Sequence, residues 1–162
     1  MPRTRFYNSK GEKYNMNSRG YFGVSLYQPS KIANWGGIVR SAYNFNAAFL
    51  STIGRHYTKQ ASDTTDAAKH IPIFHFKNIE EWYESLPSNC FIVGLEVDAE
   101  RNLETFSHPE RAVYIFGGEN ITLPKDLWGL PRTIRVKIDT NRCLNLSSAA
   151  AIVMYDRNQK RS

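Results

Sequence analysis

Residues 89–97 read NCFIVGLEV, and from Cys90 to Leu95 no side chain in this run is charged. A strand with one wet face alternates polar and apolar residues. This one is apolar on both faces, as in a parallel sheet covered by helices on each side. The neighbouring sequence repeats the pattern. AVYIFGG (112–118) is a second such run ending in paired glycines, and TIRVKI (133–138) is a third, shorter one. Upstream, YFGVSLY (21–27), AAFLSTIG (47–54) and IPIFHF (71–76) read as further strands. Pro72 cannot donate to a sheet ladder and makes the last of them an edge or short strand.

Helical segments separate these strands. GGIVRSAYNF (36–45) follows the first. NIEEWYESLP (78–87) has Asn78 and Glu81 spaced as a capping box, with Ile79, Trp82, Tyr83 and Leu86 on one face and Pro87 as the stop. LNLSSAAAIVMYD (144–156) closes the chain. From Ala149 to Met154 it has no polar side chain, so it is expected to be buried all round. In a small chain the simplest cover for such a terminal helix is a second subunit, and a homodimer through this helix is expected. Strands alternating with helices predict an α/β protein with a mostly parallel sheet. Ligands in such sheets sit at the carboxyl ends of the strands.

The 162 residues suit one domain, expected over 21–162, preceded by a flexible basic arm over 1–20. In that arm Arg3, Arg5, Lys10, Lys13 and Arg19 are set against Glu12 alone. A hydrophobic share of 41% supports a packed core, and a net charge of +6 favours an anionic partner such as nucleic acid. No apolar run reaches the length of a membrane span, and the polar N-terminus has no signal-peptide core, so a cytoplasmic protein is expected. Cys90 and Cys143 are read as buried free thiols of a reducing compartment. His56, His70, His75 and His108 lack metal-ligand spacing, so no metal is expected. There is no G-x-G-x-x-G after the first strand and no phosphate loop, which argues against an ordinary nucleotide fold.

Three short patterns remain at the expected strand ends. The first is NWGGIVR (34–40), where Gly36 and Gly37 stand at the expected start of a helix, with Asn34 as its cap. The second is Phe116-Gly117-Gly118-Glu119. The third is Leu144-Asn145-Leu146-Ser147-Ser148-Ala149. Taken singly, each reads first as caps and solvated turns.

Taken together, in this order, they resemble the SpoU (TrmH-like) family of SPOUT RNA methyltransferases. Its pattern runs N-x-G-x-x-x-R, then an apolar strand into F-G-x-E, then L-N-[VL]-S-x-A. The resemblance covers about residues 21–158 and is strongest with the small TrmL (YibK)-like tRNA 2′-O-methyltransferases. Three departures stand out. Asn120-Ile121-Thr122 replace the glycine-bearing run after the glutamate, Lys137 stands where a proline is common, and Asp156 stands where a glutamate is common.

The resemblance implies a trefoil knot at the C-terminal end of the sheet and S-adenosylmethionine as cofactor. By position the cofactor loops are Gly94-Leu95, Phe116-Gly117-Gly118, Val136 to Ile138 and Cys143-Leu144-Asn145. The implied reaction is methyl transfer to a ribose 2′-hydroxyl of RNA, most of all tRNA. Arg40 is the implied group at the reacting hydroxyl, with Asn34, Glu119, Asn145 and Ser147 around it. Arg157, Lys160 and Arg161 are candidate phosphate contacts, and Tyr155 is a candidate for the subunit interface or the substrate. An rRNA substrate, or a silent protein that binds RNA without methylating it, are the alternatives.

Overall fold

A computed structural model of the chain describes residues 20–55 and 66–161. The basic arm, up to residue 19, lies outside the described residues. The elements run β1 (Tyr21–Tyr27), α1 (Ile32–Asn44), β2 (Phe49–Ile53), β3 (Ile73–Phe76), α2 (Ile79–Ser85), β4 (Phe91–Leu95), β5 (Arg101–Asn102), β6 (Arg111–Gly117), β7 (Thr133–Lys137) and α3 (Leu146–Lys160). The strands form one seven-stranded sheet in the order β3-β2-β1-β6-β4-β7-β5. Every pairing is parallel. The sheet is therefore wholly parallel where a mostly parallel one was expected. β3 is an edge strand, as Pro72 allows.

The doubly apolar runs lie where both faces are covered. In β6, Ala112, Tyr114 and Phe116 enter a core with Trp35, Ile38 and Val39 of α1 and Val153 and Met154 of α3. Val113 and Ile115 enter a second core with Trp82 of α2 and Leu127. In α2, Asn78 accepts from the backbone N–H of Glu81, and the Glu81 carboxylate accepts from the N–H of Lys77. This is the expected capping box, displaced by one residue on the return bond.

The two-residue β5 is invisible to periodicity and decides the topology. β7 lies between β4 and β5, although residues 96–100 had already joined those two strands. The chain thus crosses its own earlier connection, which is the crossing that the knot implied by the resemblance needs.

Three expectations change. α1 begins at Ile32 with Lys31 as its cap residue, so Asn34, Gly36 and Gly37 lie inside the helix and form no strand-to-helix turn. The turn is Gln28-Pro29-Ser30, where Gln28 takes a φ of 51° and its N–H bonds the Ile53 carbonyl. Cys90 is buried, but Cys143 is exposed. α3 is not covered all round by this chain. Leu146, Ala150, Val153 and Met154 are buried, against a core that includes α1, while Ile152 is 39% and Tyr155 57% exposed.

The third change concerns the end of α3. Arg157 is buried, and its guanidinium donates to the carbonyls of Pro109, Tyr21 and Glu110 and to the Tyr114 hydroxyl. The Lys160 ammonium donates to the carbonyls of Leu103, Glu104 and Phe106, and Arg161 to that of His108. These three cations tie α3 to the sheet. Their hydrogen bonds go to the protein's own carbonyls, and of the three only Arg157 is buried away from any phosphate.

Candidate active site

The carboxyl ends of β1, β6 and β7 bring the three patterns into one hydrogen-bonded chain. Glu119 stands just past β6. One of its oxygens accepts from the N–H of Ser30 at 2.8 Å and from the Ser30 hydroxyl at 3.0 Å. The other accepts from the N–H of Lys31 at 3.1 Å and from Asn34 Nδ2 at 2.9 Å. Asn34 Oδ1 in turn accepts from Asn145 Nδ2 at 2.9 Å. Asn145 Oδ1 accepts from the Ser147 hydroxyl at 2.7 Å and from the N–H groups of Ser147 and Ser148 at 3.0 and 3.3 Å. Each amide gives on one side and receives on the other, so both orientations are fixed by their partners.

Burial alone would raise the Glu119 pKa, but the donors from Asn34 and Ser30 outweigh it and hold the carboxyl down at about 2. Glu119 is an acceptor hub in its ionised form and is unsuited to proton transfer near neutrality. Ser30 and Lys31 do not stand out in the sequence. They act mainly through backbone N–H groups, which side-chain motifs do not display.

Asn145 is the cap of α3, as its place before a helical run suggests, and also the bridge to α1. The two glycines of α1 differ. A Cβ on Gly37 would stand 3.3 Å from Ser147 Cβ, whereas a Cβ on Gly36 would meet nothing within 4 Å. Gly37 lets the two helices close on each other at the site, and Gly36 faces open space. Arg40, further along α1, is exposed and makes no hydrogen bond or ion pair with a described residue. The structure thus joins Asn34, Glu119, Asn145 and Ser147 and leaves Arg40 outside their network.

The expected cofactor residues gather at neighbouring strand tips. Leu95 of β4 is in register with Phe116 of β6 on one side and Val136 of β7 on the other. Gly94 and Gly117 belong to the same tips, and Gly118 follows. The reason for these glycines is internal. A Cβ at Gly94 would strike the Trp128 ring, one at Gly117 the Ile121 carbonyl, and one at Gly118 the Gln28 carbonyl. They permit close packing of the protein on itself, where close approach of a ligand was expected.

Beyond the tips of β4 and β7 a cavity of about 190 Å³ is lined by Val97, Lys137, Ile138, Asp139, Arg142 and Cys143, among others. It holds two of the expected cofactor residues, Ile138 and Cys143. Leu144 beside it is 37% exposed. The cavity lining mixes apolar side chains, Val97 and Ile138, with the charged Lys137, Asp139 and Arg142. The cavity is smaller than ordinary ligand pockets of roughly 300–1,000 Å³ and takes only part of a ligand of that size. Among the described residues no cluster could hold a metal ion, and no helix is long and apolar enough to cross a membrane.

Comparison with known proteins agrees with this geometry. A Bacillus subtilis (strain 168) protein with the provisional name tRNA (cytidine(34)-2′-O)-methyltransferase is 28% identical over 144 residues, which is 82% of this chain and 89% of that protein. A solved structure concerning 2-OH methylation of C/U34 on tRNA superposes with a TM-score of 0.74 at 23% identity, covering 87% of this chain and 96% of that one. The SpoU methyltransferase AviRb from Streptomyces viridochromogenes, solved with AdoMet, gives a TM-score of 0.73 at 19% identity, covering 88% of this chain and 61% of that one. The model of the SpoU rRNA Methylase family matches residues 21–155, which contain every residue of the hydrogen-bonded chain, and this protein belongs to that family.

Proposed function

We propose that the protein transfers a methyl group from S-adenosylmethionine to a ribose 2′-hydroxyl of RNA, with tRNA as the substrate. The observation that carries this reading is the chain Glu119–Asn34–Asn145–Ser147, which ties three separate sequence patterns into one rigid corner beside the β4 and β7 tips. A protein that only bound RNA would have no need for this helix and these two turns to be locked to one another. The names of the relatives favour tRNA, and the ribose of nucleotide 34, over rRNA.

The bound cofactor supplies the activated methyl group. The strand tips at Leu95, Phe116 and Val136 and the loop from Ile138 to Asn145 hold it, and Ser147 faces the substrate side. Arg40 supplies a permanent positive charge. Its guanidinium does not lose its proton, so it is no general base. It would grip a phosphate of the RNA, aim the hydroxyl at the methyl, and stabilise the alkoxide as it forms, the hydroxyl proton passing to solvent water.

A homodimer through α3 fits the same reading. Ile32 (41% exposed), Leu144, Ile152 and Tyr155 are apolar side chains in or beside α1 and α3 that this chain leaves uncovered. Light scattering of the full chain should return twice the monomer mass.

The test of function uses purified protein, labelled S-adenosylmethionine and total tRNA, followed by nucleoside analysis. A labelled 2′-O-methyl nucleoside that disappears in Arg40→Ala establishes the reaction. Label in rRNA alone moves the substrate. RNA binding without label in any RNA supports the silent protein and directs attention to Asn120-Ile121-Thr122.

A further inference from the structure

At the opposite end of the sheet from the site, the last turns of α3 carry a second polar chain, buried at its centre. Arg157 donates to the Tyr114 hydroxyl at 3.0 Å. Tyr114 lies 2.6 Å from His108 Nδ1, and His108 Nε2 lies 2.7 Å from Asp156. Lys160 closes the chain on Asp156 at 2.9 Å. The His108 side chain is wholly buried.

The partners fix the protons. Arginine only donates, so the Tyr114 oxygen is already receiving and its own hydrogen points to His108 Nδ1. The imidazole proton then sits on Nε2 and is given to Asp156. Every member is satisfied only while His108 is neutral.

We propose that His108 and Asp156 are positioning residues, a latch that works with the carbonyl bonds of Arg157, Lys160 and Arg161 to set the place of α3 along the sheet and so holds Asn145 and Ser147 in the site, and that protonation of His108 loosens it. Between its two ends α3 is held by buried Ala150, Val153 and Met154. Apolar packing is non-directional. Directional bonds at Asn145 and at Asp156–Arg157 set the axial register of a helix roughly 22 Å long. A second proton on His108 would put an N–H on Nδ1 against the Tyr114 O–H. The hydroxyl could turn only toward the Arg157 donors, which leaves a buried donor unmatched.

The groups facing His108 are Tyr114 from β6, the Phe106 ring from the preceding loop, and Asp156, Arg157, Lys160 and Arg161 from α3. Burial opposes the charged imidazole, Asp156 favours it, and Arg157 and Lys160 oppose it. The result is a pKa below the ordinary 6.5.

The test uses the full chain labelled with ¹⁵N. Ring-nitrogen spectra should show His108 with its proton on Nε2. From pH 7.5 to 4, amide exchange at Ser147–Ala151, corrected for the intrinsic rate, should accelerate at least tenfold as His108 titrates. His108→Gln keeps an acceptor for Tyr114 and a donor for Asp156 without titrating, and should remove that step. Should it not fold, the parent protein decides: the midpoint of the exchange step must coincide with the His108 titration followed in the ring-nitrogen spectra. Protection that holds to pH 4, a proton found on Nδ1, an exchange step displaced from the His108 titration, or an acid step unchanged in His108→Gln overturns the proposal. The glutamate of the site lies outside this window, since it titrates near 2.

Discussion

Asn145 donates its side-chain amide to the side-chain oxygen of Asn34 at 2.9 Å, across 111 residues of chain. Asn34 passes its own amide to Glu119, so one residue joins the helix after β1 to the turns after β6 and β7. Asn34→Asp keeps the acceptor for Asn145 but sets a carboxylate against Glu119. A loss of about 1–3 kcal/mol is expected, the scale of a buried polar group left unmatched. Adding Glu119→Gln to Asn34→Asp should recover part of it, because the glutamine amide then donates to the new carboxylate. Urea unfolding of the two single variants and the double variant measures the coupling, and strict additivity would show that the two residues do not act as a pair.

The glycines of α1 should part company. Gly36→Ala enters open space and removes a poor helix former, so a gain of up to about 1 kcal/mol is expected. Gly37→Ala pushes on Ser147, 3.3 Å away, and should weaken cofactor binding measured by calorimetry. Should Gly36→Ala raise the melting temperature and yet stop methyl transfer, the open side of Gly36 is where RNA lies.

The contrast shows what residue patterns can and cannot carry. NCFIVGLEV announces a doubly covered strand because both faces are written in the side chains, and it pairs on both sides, with β6 and β7. The capping pair in α2 is equally local. The start of α1 is misread from sequence because glycines weaken helices in isolation, and the reason for accepting Gly37 is a serine 110 residues away. The inward cations Arg157, Lys160 and Arg161 look like any basic tail, since their acceptors are backbone carbonyls that every sequence possesses. Asn34, Glu119, Asn145 and Ser147 could be named from their order along the chain. That they form one bonded unit, with Arg40 outside it, is a fact of three dimensions.

Glu119 sets an acid limit on the fold. Its carboxyl is depressed to about 2 from an ordinary 4.5, so the unfolded chain binds the proton more readily. The stabilisation it gives is complete above about 4.5 and is lost as the pH falls toward 2. Glu119→Gln should be less stable at pH 7 and should show a flatter loss of stability between pH 4.5 and 2. Parallel pH profiles for the two proteins would remove Glu119 from the account.

Arg40→Ala should separate chemistry from binding. The side chain lies outside the Glu119–Asn34–Asn145–Ser147 network, so stability and cofactor affinity should stay within about 0.5 kcal/mol of the parent. Methyl transfer should fall by roughly 10²-fold or more, the scale of losing a charge aimed at a developing oxyanion. Arg40→Lys should recover little, since an ammonium cannot present the same planar fork to a phosphate. Near-full turnover in Arg40→Ala would remove it from the reaction.

Two arginines should give opposite signatures. Arg157 is buried beneath four hydrogen bonds and lies 5.3 Å from the Phe22 ring centroid, so Arg157→Ala should cost about 3 kcal/mol or more of stability. Its effect on the salt dependence of tRNA binding should be negligible, because it releases no counterion from RNA. Arg40 is exposed. Neutralising it should leave the melting temperature in place and flatten the slope of log K against log salt by roughly 1. Filter binding of tRNA over a salt series, paired with thermal unfolding of each variant, separates the groups. A salt slope that falls in Arg157→Ala while stability holds would reverse the assignment and return the end of α3 to the RNA surface.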